Sequence, residues 1–342
     1  MLKLYRLKFL SPSADIRSYT LFGAICWAYQ LLGGDVERLC EKFQQKPPFL
    51  ISSPFPVLRT EAGKDYTLRE VPLLPKPMLP IAKEFSREDD ICKKVNRKPV
   101  KKAQYITVRA FERLIELGSL EERAFYSDEF KAVEGFKRAI ALDKEEIYNS
   151  VSKVRRDISV RNILDRKTMK SLNLFTEEIS YFPDMYFLIK YFDESFVGTV
   201  ETCLLLIEDL GLGANKNVGW GRVRIKEDTK TFKELVEFIK RRFELGMRGT
   251  FVSLSPILPQ KGMFNLEKSF YQVEPYKSPV DTTFGYDFAW KKKVLYLKEG
   301  SVIRKKQGGY VGQLKDVSAV LGDGKKVKAF QYGFEFPIGL EG

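Results

Sequence analysis

An α+β fold in two domains is what this sequence predicts, and three observations predict it. At 342 residues, 44% of them hydrophobic, the chain has room for two domains of ordinary size and enough apolar surface for a core. An alternating apolar pattern followed by a helical one opens the chain. The same succession returns around residues 185–225, beyond a long stretch that follows neither period. No short-period repeat or low-complexity tract competes with this reading.

Leu2–Leu10 mixes Leu2, Leu4 and Tyr5 with Lys3, Arg6 and Lys8, the pattern of a strand. Ser11–Ser18 is a loop. Leu21, Ile25, Ala28/Tyr29 and Leu32 then mark one face of a helix that Gly33-Gly34 ends. A shorter helix, Asp35–Gln45, opens on an Asp N-cap and stops at Pro47-Pro48. Phe49–Leu58 is strand-like but broken by prolines, which predicts a sheet edge. In residues 60 to about 183 the prolines of VPLLPKPMLP impose an extended segment, and helical patterns fill Phe111–Asn149. Met185–Phe192 (MYFLIKYF) is a strand, Val197–Leu210 a helix, and Val223–Ile225 the start of the next strand. The resulting order is βαββαβ, that of a ferredoxin-like (RRM-like) domain. It spans 1–228 and carries the insertion of about 60–183. Residues 229–342 form a second α+β domain, with a helix at Phe232–Phe243 and strands at Thr250–Leu254, Val294–Leu297 and Ala329–Phe336.

Composition narrows the chemistry. A net charge of +13 favours a polyanionic partner, nucleic acid before an anionic membrane. Histidine is absent, which removes the commonest general base and metal ligand and any Ser-His or Cys-His pair. The cysteines stand singly at 26, 40, 92 and 203, so zinc is not expected and reduced thiols in a cytoplasmic protein are. MLKLYRLKFLSP has no signal-peptide core, and the longest apolar run, Leu21–Leu32, is too short to span a bilayer. The acid pairs Asp89/Asp90, Glu121/Glu122, Glu145/Glu146 and Glu177/Glu178 are adjacent in sequence and point to different faces, so they are read as solvated. Gly33-Gly34-Asp35 lacks the second acid of a polymerase-type turn, because Val36 follows.

The most informative stretch is Gly211–Arg224, GLGANKNVGWGRVR: glycines, cations and a tryptophan without a carboxylate. Such a loop can turn exposed N–H groups toward an anion, with Lys216, Arg222 and Arg224 beside it. The plainer reading is a tight turn before a strand. Neither G-x-G-x-x-G nor G-x-x-x-x-G-K-[ST] is met, so a mononucleotide is not expected. A second segment, Arg155–Phe175, sets Arg155, Arg156, Arg161, Arg166, Lys167 and Lys170 against Asp157 and Asp165. Read alone it is a solvated charge run, but it flanks the same predicted sheet as the glycine loop. A third, Lys93–Lys102, is either a basic loop or a further RNA contact through Lys101 and Lys102, with Tyr105 and Phe111 near enough to stack on bases.

Together the SYTLFGAICWAY helix after the first strand, RNILDRKTMKSLNLF and NVGWGRVRI identify a family. The chain resembles the RNA-binding subunits of CRISPR effector complexes known as RAMP proteins, most of all the type III-A (Csm-type) subunit that caps the 5′ end of the guide RNA. LPKPMLP before KKAQYI, and the run from VSLSPILP to YGFEFPIGL, extend the resemblance over nearly the whole chain. It implies two ferredoxin-like domains and a non-catalytic role without cofactor or metal. It also implies a hetero-oligomer in which the subunit grips the crRNA 5′ tag between a large polymerase-like subunit and a backbone RAMP subunit. Carried over, the tag-binding residues are Arg161, Asn162 and Arg166 with Gly213, Lys216, Asn217, Gly219, Gly221 and Arg222, while Asp165 and Thr168 shape their loop. A thumb-like hairpin is expected within the insertion. The alternatives are a RAMP endoribonuclease that processes precursor crRNA, which without histidine would rely on Tyr, Lys or Ser, and an assembly scaffold.

Overall fold

The computed structural model describes residues 1–62, 67–80, 94–118, 120–133, 139–150, 154–280, 289–321, 324 and 326–341. Cys92 and the Asp89/Asp90 pair lie outside them. The chain opens with β1 (Leu2–Phe9), the strand that alternation predicts. In α1 (Ser18–Leu31) the buried residues Leu21, Phe22, Ile25 and Ala28 recur at helical spacing. In α2 (Val36–Gln45) the Asp35 carboxylate accepts from Arg38 N at 2.9 Å, the expected cap.

The strands β2 (Phe49–Ile51), β3 (Phe55–Ala62) and β4 (Thr67–Pro75) follow. Here the expected edge is not an edge. β2 pairs with the later strand β11 (Met185–Tyr191), and β3 lies between β11 and β4 while also pairing with β8 (Ile147–Ser150). The prolines set where the strand breaks, with Pro54 between β2 and β3, and not where the sheet stops. Lys93–Lys102, read as a loop, contains the helix α3 (Lys94–Lys102) with Pro99 inside it. The helical reading of Phe111–Asn149 fails beyond α4 (Val108–Glu116). After β5 (Tyr105–Thr107) and α4 come β6 (Phe130–Ala132), β7 (Ala139–Leu142) and β8. Long-range pairing of β7 with β5 and β6 overrides the helix-forming composition of these short segments.

The segment Arg155–Phe175, read as a loop, is most of a long hairpin: β9 (Arg155–Leu164) and β10 (Ser171–Tyr181). Its alternation, Ile158 and Val160 alternating with Ser159 and Arg161, was hidden by the charges around it. After β11 come α5 (Phe196–Leu210), β12 (Val223–Glu227) and α6 (Lys233–Arg248). The chain ends in short strands: β13 (Thr250–Ser253), β14 (Val273–Tyr276), β15 (Val294–Leu297), β16 (Val302–Arg304), β17 (Gln313–Asp316), β18 (Ala319–Val320), β19 (Lys326–Val327), β20 (Phe330–Gly333) and β21 (Pro337–Gly339). Among the described residues no helix follows α6.

The architecture is mixed α+β around one large sheet of order β12-β1-β11-β3-β4-β5-β7-β6. β1 pairs antiparallel with β11 on one side (Leu4↔Leu188) and with β12 on the other (Leu7↔Ile225). α1 and α5 pack against each other, and α6 lies on β13 and β21. The insertion is thus largely an extension of the sheet, from β4 to β6, plus the hairpin. Beside the sheet's centre Arg6 reaches both oxygens of Glu70 at 2.5 and 3.0 Å and Asp228 at 2.8 Å, and its hydrogen bond to Glu70 holds that carboxyl below the usual range.

The main core joins the chain's two ends, from Leu2 and Leu4 to Phe336 and Ile338. Tyr332 ties them together: its ring stacks on Phe22 at 4.9 Å, and its hydroxyl accepts from the buried Ile51 N at 3.0 Å. A wholly buried ion pair, Lys305–Glu335 at 3.1 Å, adds a polar pin in the C-terminal part. Tyr332→Phe keeps the ring and strands the Ile51 N–H, so it should lower unfolding free energy by about 1–3 kcal/mol in a urea titration. An unchanged midpoint would remove this hydrogen bond from the account.

Candidate nucleic-acid interface

The glycine loop starts where α5 ends, at Gly211. A single 3-10 turn, Lys216–Val218, interrupts it before β12. Two of its glycines are required by geometry. Gly221 has φ +71°, and a Cβ there would stand 2.1 Å from the Leu212 carbonyl oxygen. Gly213 has φ +90°, and a Cβ there would stand 2.9 Å from the Ile16 side chain. This close packing makes Leu212 N donate to Gly221 O and Gly221 N donate to Pro12 O, both at 2.8 Å. Arg222 N donates to Ser11 Oγ at 2.9 Å.

These bonds change the expected chemistry of the loop. The N–H groups of Val218, Gly219, Trp220, Gly221 and Arg222 all have protein acceptors. They do not form an open row for an anion. Gly219 and Gly221 therefore shape the loop, and its second half presents side chains outward. Asn217 and Arg222 are exposed, and Arg222 has no carboxylate partner among the described residues. Lys216 is half-buried, its ammonium 5.5 Å from the Trp27 ring centre. Arg224 is neutralised by Glu208 at 2.7 Å.

The hairpin β9–β10 is docked onto this loop at its root. Glu177 is the clasp: one carboxylate oxygen forms an ion pair with Arg161 Nε at 2.9 Å and the other accepts from Asn215 Nδ2 at 2.6 Å. The Arg161 guanidinium also lies 5.5 Å from the centre of the buried Trp220 ring. Ser13 N donates to Ser180 O at 3.0 Å, fixing the neighbouring strand to the loop before α1. Arg155 stacks on Tyr181 at 4.6 Å.

The opposite face and the tip are bare. Ile158, Val160 and Leu174 are 67%, 63% and 67% exposed and alternate onto one face with Asn162, whose Oδ1 accepts from Ser171 Oγ at 2.7 Å. At the tip Asp165 accepts from Lys167 N and Thr168 N, both at 2.8 Å. These backbone donors hold its carboxyl below the usual range, and the turn points Arg166, Lys167 and Lys170 into solvent. Asp165 thus shapes the turn, as the sequence suggests.

The structure brings Arg161 next to the glycine loop, turns Asn162 onto the bare face and leaves Arg166 at the far tip. Lys101 and Lys102 stand elsewhere, at the end of α3, on the wall of a cleft of about 580 Å³. Sequence reasoning missed Glu177 by reading its pair as solvated. In three such pairs one member points inward: Glu122 meets Lys76 at 3.2 Å, Glu145 accepts from Thr107 Oγ1 and Leu142 N at 2.7 Å, and Glu177 clasps the loop. Alternation along a strand was the available signal, since Glu178 on the other face is exposed. Trp220 and Ser11–Ser13 were also missed. Among the described residues no group of three or more His, Cys, Asp or Glu is placed to hold a metal ion, and no helix is long and apolar enough to cross a membrane.

The sequence pattern of the RAMP superfamily matches residues 11–224, the stretch from the Ser11 loop through the hairpin to the glycine loop. The chain belongs to the RAMP superfamily. It is 23% identical over 345 residues to the CRISPR system Cms protein Csm4 of Methanocaldococcus jannaschii, covering 90% of this chain and 82% of that one. Its fold is shared with a chain of the Csm3–Csm4 subcomplex from the type III-A CRISPR-Cas interference complex, at TM-score 0.60 and 18% identity over 98% of both chains. It is shared too with a chain of a Csm1–Csm4 cassette in complex with pppApA, at TM-score 0.53 and 21% identity over 100% of this chain and 98% of that one.

Two substitutions separate close approach from backbone conformation in this RAMP loop. Gly221→Ala meets both a positive φ and the Leu212 carbonyl, so it should cost about 2–4 kcal/mol in denaturant. Gly219→Ala has open space around it and only the φ penalty, about 1 kcal/mol. Equal costs would show that close approach does not hold the loop.

Proposed function

We propose that this RAMP protein is a non-catalytic RNA-binding subunit of a type III-A CRISPR ribonucleoprotein in the cytoplasm. In this reading it grips the 5′ tag of the crRNA and bridges the large polymerase-like subunit to a backbone RAMP subunit. The observation that carries the reading is the clasp of a projecting hairpin onto the glycine loop through Glu177, Arg161 and Asn215. It joins a hairpin with a cationic tip and a bare apolar face to the loop that carries the exposed Asn217 and Arg222. Phosphates take the cations, which sets register, and bases take the apolar face or the side-chain amides. β9–β10 is then the thumb-like hairpin that the family resemblance leads one to expect. Relatives support the partners: the solved chains of like fold were found with Csm3 and with Csm1. Residues 1–228 and 229–342 are taken as the two ferredoxin-like domains, the first supported by the order β12-β1-β11-β2.

With about five phosphates neutralised on a single strand, log affinity for tag RNA should fall against log salt with a slope of about −3 to −4. A slope near zero would remove the electrostatic grip. Labelled repeat RNA incubated with the pure protein without metal should stay intact, whereas clean cleavage at one position would establish the endoribonuclease instead.

A further inference from the structure

The cleft at the end of α3 has a composition unlike the glycine loop. Its cationic members fall in two classes. Arg17 is held by Asp15, Glu274 and Glu299 at 3.2, 2.9 and 3.1 Å, and Lys76 by Glu122 and the Val100 carbonyl at 3.2 and 3.0 Å. Both are neutralised in place, and Lys298, which also lines the cleft, lies 3.9 Å from Glu274. Lys101 and Lys102 are exposed on the same wall and have no carboxylate partner among the described residues. The same cleft has an apolar floor of the buried Pro77 and the half-exposed Met78 and Leu79. Backbone bonds fix that floor: Met78 N donates to Gly300 O and Lys76 N to Gln104 O, both at 2.8 Å. A rigid cavity of about 580 Å³ with an apolar floor and two unpaired ammonium groups at its rim suits a group that is flat and apolar at one end and anionic at the other. A nucleotide is such a group.

The cleft is also joined to the glycine loop by one short stretch of backbone. Ser11 and Pro12 bond to Arg222 and Gly221, Ser13 to the hairpin, and Asp15–Arg17 form the near wall of the cleft. Ile16 packs under Gly213. From Ser13 to Arg17 the chain can cover at most about 14 Å. A strand leaving the glycine loop along this stretch enters the cleft after a short run of nucleotides.

We propose that the cleft is a second seat for the same single-stranded RNA. It takes a nucleotide beyond those at the glycine loop, with its phosphate on Lys101 and Lys102 and its base on the Pro77–Leu79 floor. The proposal rests on the RNA-binding reading above, and its test separates the two. Fluorescence anisotropy on the full-length chain would compare wild type, Lys101→Ala/Lys102→Ala and Lys216→Ala/Arg222→Ala, using tag RNAs shortened one nucleotide at a time from either end. The cleft variant should bind the longest RNA about tenfold more weakly. Its salt slope should be shallower by about 0.7, for the one phosphate that the two lysines share. It should match wild type on RNAs too short to leave the glycine loop. Equal binding by cleft variant and wild type at every length, with the loop variant impaired, overturns the second seat and leaves the RNA-binding reading standing. So does a cleft variant that keeps its RNA affinity but loses a partner subunit, which makes the cleft a seat for an acidic protein segment. No RNA binding by wild type overturns both.

Discussion

The ladder between β1 and β12 governs the placement of everything that faces outward. It does not stop at the end of the strand: Leu10 N donates to Arg222 O, and Gly221 N to Pro12 O. A hydrogen-bonded register has no intermediate settings, so the loop after β1 and the loop after α5 are locked edge to edge. Gly221 permits this by bringing its backbone against Leu212. The hairpin is then fastened to the pair by Ser13 and by the Glu177 clasp. Segments some two hundred residues apart become one surface because one strand is paired on both sides.

Charge is arranged by the same logic. The chain carries 58 lysines and arginines against 45 acids. Many acids sit at joints where they tie a cation in place: Glu70 and Asp228 on Arg6, Glu299 on Arg17, Glu177 on Arg161. Cations without such partners collect at projecting positions, Arg166 at the hairpin tip and Lys101 and Lys102 on the cleft wall. The net positive charge is therefore not spread evenly. It is what remains after the architecture has consumed its own acids, and it remains where a polyanion can reach it.

Much of the central sheet was legible because its signals are local. β1, α1, the Asp35 cap, β11 and α5 announce themselves by period and punctuation within a dozen residues. The parts that were not legible depend on pairing at a distance. β6, β7 and β8 are three or four residues each, and nothing in them outvotes a helix-forming composition until β5 is beside β7, β7 beside β6 and β3 beside β8. Pro54 and Pro56 look like an edge until β11 is seen to take β2 and β3 in turn. The hairpin carries a strand's alternation, but its apolar positions face solvent, so the usual inside–outside contrast is missing. Of the candidate site, the charged residues were legible by type. Glu177 was not, because its role depends on Arg161, across the hairpin, and on Asn215 beyond α5.

The bare face of the hairpin has a consequence for how such a protein can be watched. A two-stranded ribbon with no core beneath it is only marginally stable in water, so its backbone amides open by small, frequent excursions. Those of β1 and β11, closed in by neighbours on both sides, open with the whole sheet. The ten-residue and eleven-residue strands of the hairpin thus form a deuterium gauge built into the chain. Labelling is fast while Ile158, Val160 and Leu174 face solvent and slow once something covers them, with the sheet as internal reference.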